Sequence, residues 1–269
     1  MDNSREFLAF EKAFSGISSD VGFSKGGPGS GNFNHHGRPG EVGGSGPGAD
    51  ANGIPESGPK GPSAPDSSMK AAADQSAKSL LERAKAVEPA VTEAVKKATA
   101  VAGGKLEGLD FRLKTNAARV SEKIQEEMVE KNLTSEEAAK NIGDTVRYTT
   151  ILPPDKYTEG VQASVAKLKE SGIEPFDHKQ KNYWPPPPGA YHGLNYIFTD
   201  KSGHKIEMQY HTADSFKTKM DNHLDYEKAR SSTTDKSTRD QLNEKMLKTW
   251  AKVEVPKNVH TLGVRVPNK

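Results

Sequence analysis

HKIEMQYHT, residues 204–212, sorts its side chains into two environments. Period-two alternation on a strand sends Ile206, Met208 and Tyr210 to one side and Glu207, Gln209 and His211 to the other. A plain surface strand tends to carry Lys, Thr and Ser opposite its apolar row. Here the second row is a carboxylate, an amide and an imidazole in register, which reads as the floor of a site. Upstream, Lys201-Ser202-Gly203 turns a preceding strand, Tyr191–Thr199, into this one as a hairpin. Before that hairpin, the four consecutive prolines of NYWPPPPGAY form a stiff polyproline loop.

The rest of the chain sorts by composition. Its 33% hydrophobic content lies below the roughly 45–50% usual for globular chains. The deficit is local: thirteen of the 25 glycines and six prolines fall between Gly26 and Pro62. Residues 1–67 therefore read as a disordered Gly/Pro-rich tether, similar in composition to segments of tailed-phage head proteins. Within it, residues 5–15 (REFLAFEKAFS) form at most a short amphipathic docking peptide, and His35-His36 reads as solvated. A net charge of +2 is too small to argue for nucleic acid. Cysteine is absent, which removes disulfides and thiolate metal sites and fits a reducing compartment. No apolar run approaches the ~18 residues of a membrane span and no secretory h-region follows the N-terminus, so a cytoplasmic chain, or one carried in a virion, is expected.

From Ser68 onward the pattern is that of a folded unit ending near 255, with 256–269 as a C-terminal tail. Leu80, Leu81, Ala84, Val87, Val91, Val95 and Ala98 recur at helical spacing, and Pro89 marks a break or a new start. Leu106–Thr115 reads as a strand, followed by a helix to Lys131 and a short one opened by Thr134 or Ser135. Asp144–Leu152 is β-branched and aromatic, hence a strand. Tyr157–Glu170 is helical, and Ile173–Lys179 is a further strand. Helices from Ala213 to Arg230 and from Asp235 to Trp250 close the pattern. This order predicts an α+β fold, a mixed sheet of about five strands flanked by helices.

Several residues carry candidate chemistry. Arg112, Lys114, Arg119 and Lys123 lie on a strand and the following helix, with no acid between Asp110 and Glu122, and cations gathered this way suit phosphate oxygens. Asp144, with Arg147 three residues on, pairs conceptually with Glu207. Two carboxylates on neighbouring strands make a sparse oxygen site for Mg²⁺, completed by phosphates and water. Tyr191 is placed to stack on a nucleobase, with Asn195 supplying amide hydrogen bonds; the plain alternative is a core aromatic after a turn. Glu207, His211 and His223 match no compact zinc spacing.

Read in order, these pieces resemble the synthetase domain of the RelA/SpoT family, in particular its small, toxin-like branch. The matching segments are Arg112-Leu-Lys114, Lys123, Asp144-Thr-Val-Arg147, Ala190-Tyr191-His-Gly-Leu-Asn195, Glu207-Met-Gln209-Tyr-His211-Thr212 and His223, across residues 75–232. The resemblance implies a nucleotidyltransferase-like fold. It also implies a pyrophosphokinase that moves the β,γ-pyrophosphate of ATP onto a ribose hydroxyl, usually the 3′-OH of a guanine nucleotide. It places Mg²⁺ on Asp144 and Glu207, ATP against Arg112, Lys114, Lys123 and Arg147, and the acceptor against Tyr191, Asn195, Gln209, His211 and His223. An antitoxin or a phage head protein is the candidate macromolecular partner.

Departures from the family pattern fall mostly on the acceptor side. Ala118 stands where the family has serine, Asn195 replaces a histidine and His211 an arginine, and Arg147 follows Asp144 at a spacing of three, shorter than usual. GDP or GTP, an adenine nucleotide and the tRNA 3′ end all stay open as acceptors. Two other classes compete: a non-catalytic nucleotide- or RNA-binding phage structural or cargo protein, and a metal nuclease built on His211, Asp221 and His223. The expected geometry is that Asp144 and Glu207 lie within reach of one ion, in a cleft lined by Arg112 and Lys114.

Overall fold

The computed structural model describes residues 67–184, 191–231 and 233–265. The expected tether, its amphipathic segment and its paired histidines lie outside these residues, as do the four prolines. Helices α1 (Ser67–Val101), α2 (Ala117–Lys131), α3 (Ser135–Asn141) and α4 (Tyr157–Glu170) precede or alternate with strands β1 (Lys105–Glu107), β2 (Arg147–Ile151) and β3 (Glu174–Asn182). The hairpin strands β4 (Leu194–Thr199) and β5 (Lys205–His211) follow, then α5 (Ala213–Asp221), α6 (His223–Arg230), α7 (Lys236–Trp250) and β6 (Val264–Arg265). The architecture is α+β.

Six strands form one mixed sheet in the order β1-β2-β5-β4-β3-β6. The site strand β5 is central. It runs parallel to β2, with Arg147 opposite Glu207 and Thr149 opposite Gln209, and antiparallel to β4, with Asn195 opposite Gln209. Ile206, Met208 and Tyr210 are fully buried, as the alternation predicts. Helices α1 and α4 cover this face: Thr92 Oγ1 meets Tyr148 Oη at 2.7 Å, Thr99 meets Thr150 at 3.1 Å, and Ser164 meets Tyr210 Oη at 3.0 Å. The central hairpin closes as expected, with Asp200 Oδ1 accepting from the amides of Ser202 and His204, each at 2.9 Å.

Helix α1 serves two cores. At 35 residues it is about 52 Å long. Its second half packs Val91, Val95 and Ala98 on the sheet. Its first half packs Ala73, Ala77, Leu80 and Leu81 against Val120 and Ile124 of α2 and Ala138 and Ala139 of α3. Pro89 lies inside α1 without ending it. Both Pro89 and Lys85, whose carbonyl loses its helical partner, are on the exposed side, where water can take the vacant acceptor.

Four sequence expectations change. Leu106–Thr115 is not one strand: Gly108 adopts a left-handed φ of 64°, which ends β1. A 3₁₀ turn at Leu109–Phe111 follows, and only Leu113 regains a bridge, to Val146. The helix expected over 213–230 divides into α5 and α6 at Asn222, whose side chain donates to Thr249 Oγ1 at 2.6 Å. β3 runs on to Asn182, past the expected end at Lys179. Residues 256–265 are no tail. Asn182 Nδ2 donates to the carbonyls of Val259 and Leu262, both at 2.8 Å, and β6 then pairs with β3.

Candidate active site

The second face of β5 is where the unusual polar row lies, and it is as dry as the first. Glu207 is 1% exposed, Gln209 2% and His211 0%. Register places Arg147 and Thr149 of β2 and Asn195 of β4 beside them on the same face, because paired residues in neighbouring strands project together. Burial of so many polar groups is tolerable only where partners are supplied.

Asp144 sits in the lead-in to β2. Its Oδ2 accepts from Lys123 Nζ at 2.7 Å and lies 3.8 Å from Lys114 Nζ. Lys123 reaches it because it shares the inward face of α2 with Val120 and Ile124, which the N-cap Asn116 starts in register. Burial raises the Asp144 carboxyl pKa, but Lys123 and then Lys114 outweigh it and hold the group below the usual carboxylate range. Lys114 is pushed down to about 7, first by burial and then by Arg147 and Lys123, against the opposing pull of Asp144 and Glu207. One ammonium therefore feels both carboxylates and both neighbouring cations.

From Glu207 a chain of bonds runs along the sheet. Its Oε1 accepts from Gln209 Nε2 at 2.6 Å, and Gln209 Oε1 accepts from Lys219 Nζ of α5 at 2.6 Å. Glu207 Oε2 is buried and makes no hydrogen bond. Leaving a buried acceptor unpaired costs about 1–3 kcal/mol, more when the group is charged. His223 begins α6 with its pKa lowered to about 4, by burial first, then by Lys219 and Arg147.

A second network lies at the far end of β5. Tyr191 Oη meets Asn195 Oδ1 and His211 Nε2, each at 2.9 Å, and His211 Nδ1 meets Ser215 Oγ at 2.9 Å. Burial pushes the His211 pKa well below its ordinary value. The part-buried Tyr191 ring is edge-on to Tyr183, His211 and Trp250, at 5.3–5.6 Å between centroids. Gly193 makes room for this contact, since a Cβ there would come within 2.7 Å of His211 Cε1.

The structure thus gathers Lys114, Lys123, Asp144, Arg147, Glu207, Gln209 and His223 into one connected group, with Tyr191, Asn195 and His211 adjoining it. It does not bring in Arg112, whose guanidinium is held by Glu88 of α1, in the layer that covers the opposite face of the sheet. Arg119 pairs with Glu122 at 2.8 Å on the outer side of α2. Sequence reasoning missed Lys219. Its signal was a polar stripe at helical spacing: Ser215, Lys219, Asn222 and His223, all buried.

Asp144 and Glu207 are the residues that would hold a divalent cation here. Asp144 and Glu207 offer hard oxygens, and the unpartnered Glu207 Oε2 is an acceptor awaiting a donor or cation. Among the described residues no cluster of three or more metal-binding side chains occurs.

No protein-family profile and no curated protein matches the sequence. Among solved structures, the chain is similar to the Type VI effector Tas1 in complex with its immunity protein. That match has 15% identity and a TM-score of 0.44, over 65% of this chain and 94% of Tas1. It is also similar to small alarmone synthetase 1 from Bacillus subtilis bound to its product pppGpp, at 12% identity and a TM-score of 0.39, over 63% of this chain and 91% of that one. No helix among the described residues is long and apolar enough to cross a membrane.

Proposed function

We propose that this chain is a pyrophosphokinase that transfers the β,γ-pyrophosphate of ATP to the 3′-hydroxyl of a nucleotide or of the tRNA 3′ end. The observation that carries the reading is the buried Glu207 Oε2 without a hydrogen-bond partner, together with an Asp144 carboxylate held by Lys123 and Lys114, the latter an ammonium that senses both acids. The order of the motifs along the chain, similar to that of RelA/SpoT synthetases, points the same way.

Lys123 and Arg147, both buried, supply fixed positive charge for the triphosphate with little reorganisation, and Lys114, held at about 7, gains its proton fully when phosphate charge arrives beside it. Asp144 and Glu207 would hold Mg²⁺, which neutralises phosphate charge when bound. Tyr191 presents its rigid ring to the acceptor base, and Asn195 fixes the hydroxyl of that ring. The acceptor oxygen attacks the β-phosphorus, the bond from that phosphorus to the bridging oxygen of the α-phosphate breaks, and AMP leaves. Glu207 Oε2 takes or orients the proton of the attacking hydroxyl. Phosphoryl-group transfers are accelerated mostly by such positioning and charge stabilisation.

Labelled ATP with Mg²⁺ and a panel of GDP, GTP, ADP and bulk tRNA tests this. Label should move to one acceptor class and stop in Glu207→Ala; nucleotide binding without transfer, or cleavage of RNA, overturns it. A growth-inhibiting role follows from the same chemistry. Induced expression in bacteria should arrest growth, and Glu207→Ala should relieve the arrest.

A further inference from the structure

The geometry points to Lys219 as a positioning residue that selects which oxygen of Glu207 is left free for chemistry. The argument needs only the hydrogen-bonding capacity of three side chains, and it rests on the pyrophosphokinase reading.

An ammonium donates and never accepts. The Gln209 atom that meets Lys219 Nζ at 2.6 Å must therefore be the carbonyl oxygen, and Thr149 Oγ1 approaches that same oxygen at 3.5 Å. With Oε1 facing Lys219, the amide nitrogen has to face Glu207, where it donates to Oε1 at 2.6 Å. One carboxylate oxygen is thereby engaged and its partner, Oε2, is left without a hydrogen bond in a dry environment. Were the Gln209 amide free to turn over, its carbonyl would face Glu207 Oε1 and repel it, and the carboxylate would lose its fixed aim. Lys219 can impose this from a distance because α5 is capped directly off the end of β5. Thr212 Oγ1 accepts the Ser215 amide, and Ser215 Oγ accepts the Thr212 amide, so strand and helix turn as one piece.

Such outer links to a reacting or metal-binding carboxylate typically matter by 10–100-fold. The test is a double-mutant cycle on the full chain with Lys219→Met, Gln209→Leu and both together, plus Lys219→Arg. Two readouts are followed: kcat and KM for transfer, and Mn²⁺ affinity measured by calorimetry with a non-hydrolysable ATP analogue present. Each single variant should lose kcat by roughly 10–100-fold with KM for ATP changed less than about threefold, and the double variant should be no worse than either. Mn²⁺ binding should weaken in parallel, and Lys219→Arg should recover most of both. Additive losses overturn the proposal, and so does a Lys219→Met defect confined to KM for ATP, which would make Lys219 a phosphate contact. Should the wild-type chain transfer pyrophosphate to no acceptor, the functional reading itself fails. The Mn²⁺ titration then still decides the positioning role by the same cycle.

Discussion

The two faces of the central sheet are equally dry and differently finished. On the α1 and α4 side, buried hydroxyls meet in closed pairs: Thr92 with Tyr148, Thr99 with Thr150 and Ser164 with Tyr210. On the other side the charged groups are linked to one another, yet one acceptor is left over. Glu207 Oε2 makes no hydrogen bond, and crowding by Arg147 and Lys123, added to burial, drives the Asp144-paired Lys114 down to about 7. A buried polar group that is paired serves the fold. One left open costs stability, and under the proposed function a ligand completes its bonding.

If that contrast is right, Glu207→Gln should separate activity from stability. Transfer should fall on the order of 10³-fold or more, while thermal unfolding stays level or rises, because a buried charge without full pairing is removed. Melting curves beside turnover assays would check it; equal loss of both would make Glu207 a structural residue. On the closed face, Met208→Ala should act the other way, costing roughly 2–5 kcal/mol in urea unfolding because Met208 is fully buried in the core.

Acid stability reads the open face through His223. Its folded pKa of about 4 lies below the ordinary 6.5, so between these values the unfolded chain binds more protons. Its contribution is complete above pH 6.5 and is lost as pH falls through that window, by up to about 3 kcal/mol. Urea midpoints at pH 4.5 and pH 7 should therefore converge in His223→Gln relative to wild type; unchanged spacing would refute the assignment. The smallest effect belongs to Tyr148→Phe, which breaks the pair with Thr92. It should cost about 1 kcal/mol of stability and leave turnover unaltered, as comparison of unfolding and kinetics would reveal.

Much of this arrangement was legible early. Alternation in 204–212 placed both rows of β5 correctly, because a strand's period of two is a local property of its backbone. The hairpin and most helices followed from turn residues and apolar spacing for similar reasons. Lys219 escaped notice because an isolated lysine on a polar helix is ordinary until the sheet beside it is known. Arg112 was read together with Lys114, yet the left-handed turn at Gly108 and the following 3₁₀ turn deliver it to Glu88 instead. The strand β6 was missed since two residues carry no period, and its support comes from Asn182, far away in the chain.

Period, turn chemistry and residue type were enough to specify an α+β unit with a carboxylate, an amide and an imidazole on one face of a central strand. They could not say which of these atoms would be satisfied. That depends on whether a lysine from α2 reaches Asp144 and a lysine from α5 reaches Gln209. Hydrogen bonds between segments far apart in the chain have no signature in local periodicity, and packing alone establishes them.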